Sequence, residues 1–270
     1  MALKICIAGA TGWTGSALVD AILKADDLQL VGAVARKAAG QDIGAALGRA
    51  AVGVKVQPTV AAALDAAPTD VLIEYSSSTI AKANALTAIA RGVAVVLGTS
   101  GLAAEDFAKI EIAARAKNVG VIASGNFSIT ASLLQRFAEL AVHFVDHYEI
   151  IDYASAGKLD TPSGTARELA DRLGAAKPPK IGKPVVDLNG PQETRGASIA
   201  GVQVHAVRLP GYVLSVETQF GLPGERLTIR HDAGESALPY VAGTLVAARK
   251  VGQINGLVRG FDRILFGDLS

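Results

Sequence analysis

The first half of the chain alternates short, largely apolar runs with longer stretches in which apolar residues recur at helical spacing. Short apolar runs are typical of strands buried on both faces of a parallel sheet. The predicted strands are 3–8, 28–35, 71–73, 94–97 and 119–122. The predicted helices between them include 16–24, 62–66, 80–91 and 103–117. This alternation indicates an α/β fold built on a Rossmann-like, doubly wound parallel sheet.

The second half of the chain has a different pattern. An amphipathic stretch at 128–141 predicts a long helix, and an apolar run at 148–151 predicts a strand. Apolar and polar residues then alternate with period two at 200–208 and at 212–220, and a further strand is predicted at 225–231. We expect these last three strands to form an antiparallel meander with one open face.

The change of pattern near residue 128 predicts two domains. Residues 1–127 would form the α/β domain, and residues 128–236 would form an α+β domain with a mixed or antiparallel sheet. Residues 237–270, which carry a last helical stretch, are expected to return to the first domain. A chain of 270 residues is long enough for two domains of ordinary size.

A glycine turn (9–15, Gly-Ala-Thr-Gly-Trp-Thr-Gly) joins the first predicted strand to the first predicted helix. Strand, glycine turn and helix in this order are what a dinucleotide pyrophosphate needs. Gly9 permits the tight turn, Gly12 allows close approach of the backbone, and Gly15 lets the helix pack on the strand. The spacing is G-x-x-G-x-x-G rather than the commoner G-x-G-x-x-G. The candidate cofactor contacts in this turn are Gly9, Thr11, Gly12, Trp13, Thr14 and Gly15.

The end of the second predicted strand bears on the choice of cofactor. NAD sites usually carry an acidic residue there for the ribose hydroxyls. Here Ala35 is followed by Arg36 and Lys37. Two cations in place of an acid suit the 2′-phosphate of NADPH, although both could be solvated loop charges and use of NADH stays possible.

Three further turns, at 75–79, 98–101 and 124–128, follow the other predicted strands of the first domain. All are small and polar, and they offer backbone and hydroxyl groups to a flat cofactor ring. Because the carboxyl ends of parallel strands meet at one edge of the sheet, we expect these turns to lie together. The candidate cofactor contacts in the last two are Gly98, Thr99, Ser100, Ser124, Asn126 and Phe127.

The stretch 152–166 of the second domain predicts an anion site. Proline and glycine at 162–164 keep the backbone out of helix until a helix opens near Thr165. Ser163 or Thr165 could cap that helix, and N–H groups at its positive end could bind a carboxylate. Lys158 adds an ammonium that can pair with an anion or donate a proton. The alternative is an ordinary capped helix with a surface lysine.

Composition excludes several other functions. The formal net charge is +1 and aromatic residues make up 5% of the chain, which argues against nucleic-acid and membrane-surface partners. Cys6 is the single cysteine, so no internal disulfide and no cysteine-based metal site is expected. No signal peptide and no apolar run of ~18 uncharged residues is recognisable. We therefore predict a cytoplasmic protein without a metal site.

Taken together, these stretches resemble the dihydrodipicolinate reductase family, also called 4-hydroxy-tetrahydrodipicolinate reductases, of the lysine and diaminopimelate pathway. The resemblance covers essentially the whole chain, and Lys-x-Asp-x-Pro-Ser-Gly-Thr-Ala at 158–166 is its most specific part. The other matching pieces are the glycine turn, Gly-Thr-Ser-Gly at 98–101, Asn-Phe-Ser at 126–128, Val-Arg at 207–208 and Gly-Glu-Arg at 224–226.

The resemblance implies a nicotinamide-binding domain at 1–127 with 237–270, and a substrate-binding and oligomerisation domain at 128–236. It implies hydride transfer to a cyclic unsaturated imine dicarboxylate. In the family the Ser-Gly-Thr turn binds a substrate carboxylate and the motif lysine assists catalysis. Those roles would fall to Ser163, Gly164 and Thr165 and, for catalysis, to Lys158.

The chain also departs from the family pattern. A His-His pair belongs four and three residues before the motif lysine, its first member acting as proton donor, but this chain has Ala154 and Ser155. The family's Gly-Glu-His is replaced by Leu-Ser-Val at 214–216, and a pocket arginine falls at Ala237. Alanine has no proton to donate, so the family's protonation route cannot run unchanged.

Three hypotheses follow. The first is an NADPH-preferring reductase of a different carboxylated imine or related C=N compound, in which Lys158, Tyr153, water or the substrate itself handles the proton. The second is the genuine pathway reductase with a relocated acid. The third is a non-catalytic protein that binds a dinucleotide and senses its redox state. The intact lysine and carboxylate turn favour an enzyme.

The predicted meander also suggests assembly. One of its faces carries six apolar residues and is too apolar to be solvated, so we expect another subunit to cover it. The resemblance implies a homotetramer built through these sheets. The residues of this face are Val202, Val204, Ala206, Leu214, Val216 and Phe220.

Overall fold

The structure is a computed structural model that describes residues 2–267. Its strands are β1 (Leu3–Ala8), β2 (Leu28–Val34), β3 (Val56–Gln57), β4 (Val71–Glu74), β5 (Ala94–Leu97), β6 (Gly120–Ala123), β7 (His147–Ala154), β8 (Ala197–Ile199), β9 (Val202–Arg208), β10 (Leu214–Leu222), β11 (Glu225–Ala233) and β12 (Gly256–Arg259). Its α-helices are α1 (Trp13–Leu23), α2 (Ile43–Ala46), α3 (Val60–Ala66), α4 (Ser78–Ala90), α5 (Ala104–Lys117), α6 (Ile129–Val142), α7 (Gly164–Ala176), α8 (Leu238–Val251) and α9 (Phe261–Phe266). No helix in this range is both long and apolar enough to span a membrane.

The described chain divides into two compact units. The first unit runs up to Ile129 and resumes at Ala237, and the second unit is Thr130–Ser236. Each unit contains its own sheet and its own hydrophobic core.

The first unit is a parallel, doubly wound sheet, which confirms the predicted fold class. Across residues 2–267 its strand order is β12-β6-β5-β4-β1-β2-β3. The apolar strands are buried on both faces, as in β5, where all four residues are buried. The strand order reverses between β1 and β4, and ligands of such sheets bind outside the carboxyl ends of the strands at this point.

The first helix begins earlier than predicted. It opens at Trp13 rather than at residue 16, so the second half of the glycine turn forms its first turn. The physical reason is that apolar periodicity marks a buried helix face, and this first turn presents none, since Trp13 is exposed and the buried residue Gly15 has no side chain.

The second unit has a mixed sheet of order β11-β10-β7-β9-β8, and the predicted meander is wrong. β7 lies between β9 and β10, pairing parallel with β9 and antiparallel with β10. Only β10 and β11 form the expected antiparallel neighbours. Period-two alternation identifies a strand with two different faces, but it does not say which strand pairs with which.

The apolar face of this sheet is covered by the unit's own helices, so the argument that another subunit must cover it is also wrong. Val202, Val204, Val216 and Phe220 are buried in a core to which α6 and α7 contribute apolar residues. Ala206 is exposed and Leu214 is half-buried. The apolar sides of these two amphipathic helices cover the apolar side chains of the strands within one chain.

Candidate cofactor and carboxylate sites

The glycine turn is shaped by close backbone contacts that leave no room for side chains. A Cβ at Gly9, where φ is +83°, would lie 2.3 Å from the carbonyl oxygen of Tyr75. A Cβ at Gly15 would lie 2.0 Å from the carbonyl oxygen of Gly9. The N–H groups of Gly9 and Ala10 donate to the carbonyl of Val34 at the end of β2. Glycine is therefore required at both positions, and the turn brings its backbone to the switch point of the sheet, as a dinucleotide pyrophosphate requires.

The start of α1 adds the electrostatic part of this site. Gly12 precedes the helix and provides no side-chain cap for its first N–H groups. Those of Trp13 and Thr14 lie at the positive end of the helix, where phosphates bind. Thr11 and Trp13 are exposed beside it. These residues fit a dinucleotide, which would supply the hydride of a reduced nicotinamide ring.

Arg36 and Lys37 form a short 3₁₀ turn directly after β2. Both are exposed, and neither makes an ion pair within residues 2–267. Because β2 is the neighbour of β1, these cations follow the strand beside the glycine turn, where folds of this class bind the adenosine half of a dinucleotide. Their charges are thus available to a ligand.

Sequence reasoning missed Glu74, the last residue of β4, which connects two of the predicted cofactor turns. Its side chain is fully buried. Its carboxylate accepts hydrogen bonds from the N–H and hydroxyl of Ser76, from Asn84 (2.8 Å) and from Thr99 (3.3 Å). Thr99 belongs to the turn after β5, so this carboxylate joins that turn to the one after β4. A lone acid ending an apolar strand was the available signal in the sequence.

The other predicted contacts in these turns differ in what they can offer. Gly98 packs on the ring of Tyr75, which a Cβ would meet at 2.2 Å, and Ser100 is exposed. The hydroxyl of Ser124 donates to the carbonyl of Asn126. The ring of Phe127 is buried, and its centroid lies 5.3 Å from that of the Phe261 ring. Its side chain is part of the core, so only its backbone is left for a cofactor contact.

In the second unit, Ser163 caps α7 and is held by Asp152. The Ser163 hydroxyl oxygen accepts from the N–H of Ala166. The hydroxyl also donates to one oxygen of Asp152 at 2.6 Å, and the Ser163 N–H donates to the other at 2.8 Å. Both donors of Ser163 are therefore engaged within the protein. Its place in a carboxylate site is that of an anchor, and the helix N-terminus that follows begins at Gly164.

Space is available at that N-terminus. A Cβ added at Gly164 would meet no atom within 4 Å, and Gly164 is exposed. Thr165 follows as a buried residue in the first turn. Both residues belong to the first turn of α7, where backbone N–H groups have no helix carbonyl four residues earlier to accept their hydrogen bonds. Helix N-termini of this kind bind carboxylates.

Arg208 completes the support of this turn. Its Nη2 donates to the Asp152 carboxylate at 2.7 Å and to the carbonyl of Asp160 at 2.9 Å. Asp152 is fully buried, and Arg208 is 16% exposed at its side chain. One guanidinium therefore neutralises the buried carboxylate and ties the loop that carries Lys158 to the sheet.

Lys158 and Tyr153, two of the considered proton donors, are placed differently. The Lys158 ammonium lies 2.8 Å from the exposed carboxylate of Asp160, and its side chain is 30% exposed. Tyr153 points to the sheet face opposite Asp152, where the centroid of its ring lies 5.1 Å from that of Tyr212. Tyr153 therefore does not share a face with the carboxylate turn. Residues 2–267 contain no group of His, Cys, Asp or Glu side chains that could hold a metal ion.

Two family models together match almost the whole chain. They are "Dihydrodipicolinate reductase, N-terminus" over residues 3–127 and "Dihydrodipicolinate reductase, C-terminus" over residues 127–265. The chain belongs to the dihydrodipicolinate reductase family. This confirms the resemblance drawn from the motifs.

Relatives and a solved structure agree with this assignment. The chain is 35% identical to a 4-hydroxy-tetrahydrodipicolinate reductase of Moorella thermoacetica, covering 97% of this chain and 98% of that one. It is 38% identical to one of Synechococcus elongatus, with the same coverage. The dipicolinate-bound dihydrodipicolinate reductase of Paenisporosarcina sp. TG-14 superimposes with a TM-score of 0.84 at 28% identity, covering 98% of this chain and all of that one.

As a member of the dihydrodipicolinate reductase family, the chain is an NAD(P)H-dependent oxidoreductase. The prediction of an enzyme is thereby confirmed over that of a redox sensor. The family uses a nicotinamide dinucleotide, in agreement with the fit of the glycine turn and the start of α1.

Proposed function

We propose that this reductase transfers a hydride from NADPH to the carbon of a C=N bond in a carboxylated imine. The observation that carries the proposal is the carboxylate site of the second unit. Asp152 and Arg208 fix Ser163, which leaves the N-terminus of α7 open at Gly164. A helix N-terminus with a lysine on the preceding loop suits a small carboxylate better than a neutral substrate.

The chain's own residues would divide the work as follows. Gly164 and Thr165 would bind a substrate carboxylate through their backbone N–H groups. Lys158 would share its ammonium between Asp160 and that carboxylate. As the hydride reaches carbon, the imine nitrogen takes up one proton. Because Ala154 stands where the family has its proton-donating histidine, the ammonium of Lys158 or a water would supply this proton. The products are the saturated amine and NADP⁺.

Turnover of a panel of cyclic imines by the purified protein tests this proposal. The panel contains mono- and dicarboxylated imines, including the diaminopimelate-pathway intermediate, and matched compounds without a carboxylate. We expect loss of reduced nicotinamide absorbance only with the carboxylated compounds. Equal turnover of the uncarboxylated compounds would contradict the proposed role of the α7 N-terminus.

The second candidate is 4-hydroxy-tetrahydrodipicolinate reductase itself, an enzyme of lysine biosynthesis. Identities of 35–38% over 97% of the chain to enzymes of that name favour it. Ala154 and Ser155 at the positions of the family's histidine pair weigh against it and favour a different carboxylated imine.

Ala154→His separates these two candidates. Ala154 is buried at the end of β7 on the same face as Asp152. If the pocket is otherwise that of the pathway reductase, the histidine should raise kcat for the pathway intermediate by ~10²–10⁴-fold, the usual contribution of a general acid. We expect no such gain, because Leu-Ser-Val at 214–216 and Ala237 also depart from the family pattern. Stopped-flow kinetics on both proteins decides between the outcomes, with Ala154→Gln as the control for side-chain size.

NADPH is the proposed cofactor, because Arg36 and Lys37 are exposed, unpaired in the described chain and adjacent to the glycine turn. We expect tighter binding of NADPH than of NADH. Arg36→Ala should lower the ratio of the NADH and NADPH dissociation constants by about tenfold, which corresponds to the loss of one charge-assisted hydrogen bond of ~1.5 kcal/mol. Fluorescence titration with both cofactors measures it, and exposed Lys24 provides the control variant Lys24→Ala. Equal affinities in the unaltered protein would contradict the proposal.

We further propose a homotetramer that assembles through the open face of the second unit's sheet. This face carries Tyr153 and Val207, and Arg230 lies over the Tyr153 ring at 4.7 Å. Light scattering should give four chain masses at micromolar concentration. Val207→Glu should lower the mass, because it places an unpaired charge in the interface. Leu140→Glu, on the exposed side of α6, should leave the mass unchanged, and a monomeric unaltered protein would refute the proposal.

A further inference from the structure

Glu74 is a buried carboxylate for which the described chain supplies no cation. It is fully buried and makes no ion pair within residues 2–267. Burial raises the pKa of its carboxyl group, and hydrogen bonds from Ser76, Asn84 and Thr99 act in the opposite direction. The N–H and hydroxyl of Ser76, the amide of Asn84 and the hydroxyl of Thr99 can all donate to the carboxylate. Such a set of donors suits the ionised form. A buried charge with donors but no countercharge is costly, and such groups cluster at functional sites.

The position of Glu74 relates this charge to the cofactor. Ala8 and Glu74 are register partners at the ends of β1 and β4, on either side of the switch point. The pyrophosphate belongs at the turn after β1, and the cations for the adenosine half follow β2 on one side of it. The nicotinamide half must then extend to the other side, over the ends of β4 and β5. Glu74 lies there and binds the turns that follow both strands.

We propose that Glu74 supplies the negative charge that favours the oxidised, positively charged nicotinamide ring over the reduced ring. NADPH and NADP⁺ differ in charge at this ring, which becomes positive when the hydride leaves with its two electrons. A fixed carboxylate at the ends of β4 and β5 would stabilise that developing charge and would cost no reorganisation during the reaction. The inference rests on the proposed binding of a nicotinamide dinucleotide and adds a residue that acts on hydride release.

Two variants alter the charge in different ways. Glu74→Gln removes it and keeps the shape of the side chain. Asn84→Lys keeps Glu74 and introduces an ammonium where the amide of Asn84 now donates at 2.8 Å. Asn84 is half-buried on α4, so its site has room for a longer side chain. Asn84→Lys therefore keeps the inference testable if Glu74→Gln fails to fold. Asp65→Asn, which removes an exposed carboxylate of the same unit, is the matched control.

The measurement is the ratio of the dissociation constants of NADP⁺ and NADPH, obtained by calorimetry on the full chain without substrate. In Glu74→Gln and Asn84→Lys we expect the dissociation constant of NADP⁺ to rise about tenfold relative to that of NADPH. This is the effect of one charge–charge interaction across a protein interior. Asp65→Asn should leave the ratio unchanged.

A purely structural role gives a different result. If Glu74 only holds the two turns in place, both redox forms weaken equally in Glu74→Gln and the ratio stays constant, which overturns the inference. A constant ratio in folded Asn84→Lys overturns it as well. If the unaltered protein binds neither form, both the proposed cofactor and this inference fail, whereas tight binding of both forms with an unchanged ratio refutes only the role of Glu74.

Discussion

Arg208→Met is expected to lower the free energy of unfolding by ~3–5 kcal/mol, the cost of breaking a buried ion pair from one side. The substitution would leave the fully buried Asp152 carboxylate without its cation. It would also release the carbonyl of Asp160 from the guanidinium, which loosens the loop that carries Lys158. Urea unfolding followed by circular dichroism measures the change.

The charge explanation has its own control. Asp152→Asn combined with Arg208→Met removes both charges and leaves an acceptor for Ser163, so it should be more stable than Arg208→Met alone. Arg136→Met breaks a half-exposed contact with Glu139 at 3.7 Å and should change stability by no more than ~0.5 kcal/mol. If Arg208→Met behaved like Arg136→Met, the buried pair would not be the support of the carboxylate turn.

Lys158→Ala is expected to raise the KM of the carboxylated substrate by roughly 10- to 100-fold. This corresponds to the loss of a hydrogen bond to a charged group, ~1.5–3 kcal/mol. If Lys158 also supplies the proton to the imine nitrogen, kcat should fall as well. The NADPH dissociation constant should stay unchanged, because Lys158 belongs to the second unit and the proposed cofactor contacts belong to the first.

Asp160→Asn is the matched control for this lysine. It removes the carboxylate that lies 2.8 Å from the ammonium and leaves Lys158 in place. The ammonium would then no longer be shared, so KM should stay the same or fall. Steady-state kinetics on whichever imine is found to be reduced measures both variants. Unaltered kcat and KM in Lys158→Ala would remove the lysine from the mechanism.

The glycine turn shows how much of a site can be read from sequence. Gly9 and Gly15 occupy positions where backbone atoms approach so closely that only glycine fits, and this requirement is visible as a residue type. Glu74 shows the opposite case. A single acid at the end of an apolar strand looks like a surface residue, and only the arrangement of β4, α4 and β5 buries it among donors. Phe127 belongs to the same case, since its ring is buried in the core.

The sequence by itself determined the parallel fold class, the glycine turn and the family, and it contains the motif at 158–166 on which the proposed carboxylate site rests. These follow from local periodicity, from glycine at crowded positions and from a contiguous motif. Only the tertiary structure decided that β7 separates β9 from β10, that α6 and α7 cover the apolar sheet face, and that Asp152 uses both donors of Ser163. Strand order, burial and the partners of a charged group depend on residues far apart in the chain. Local patterns record what a residue needs, and the packing of distant elements decides which partner provides it.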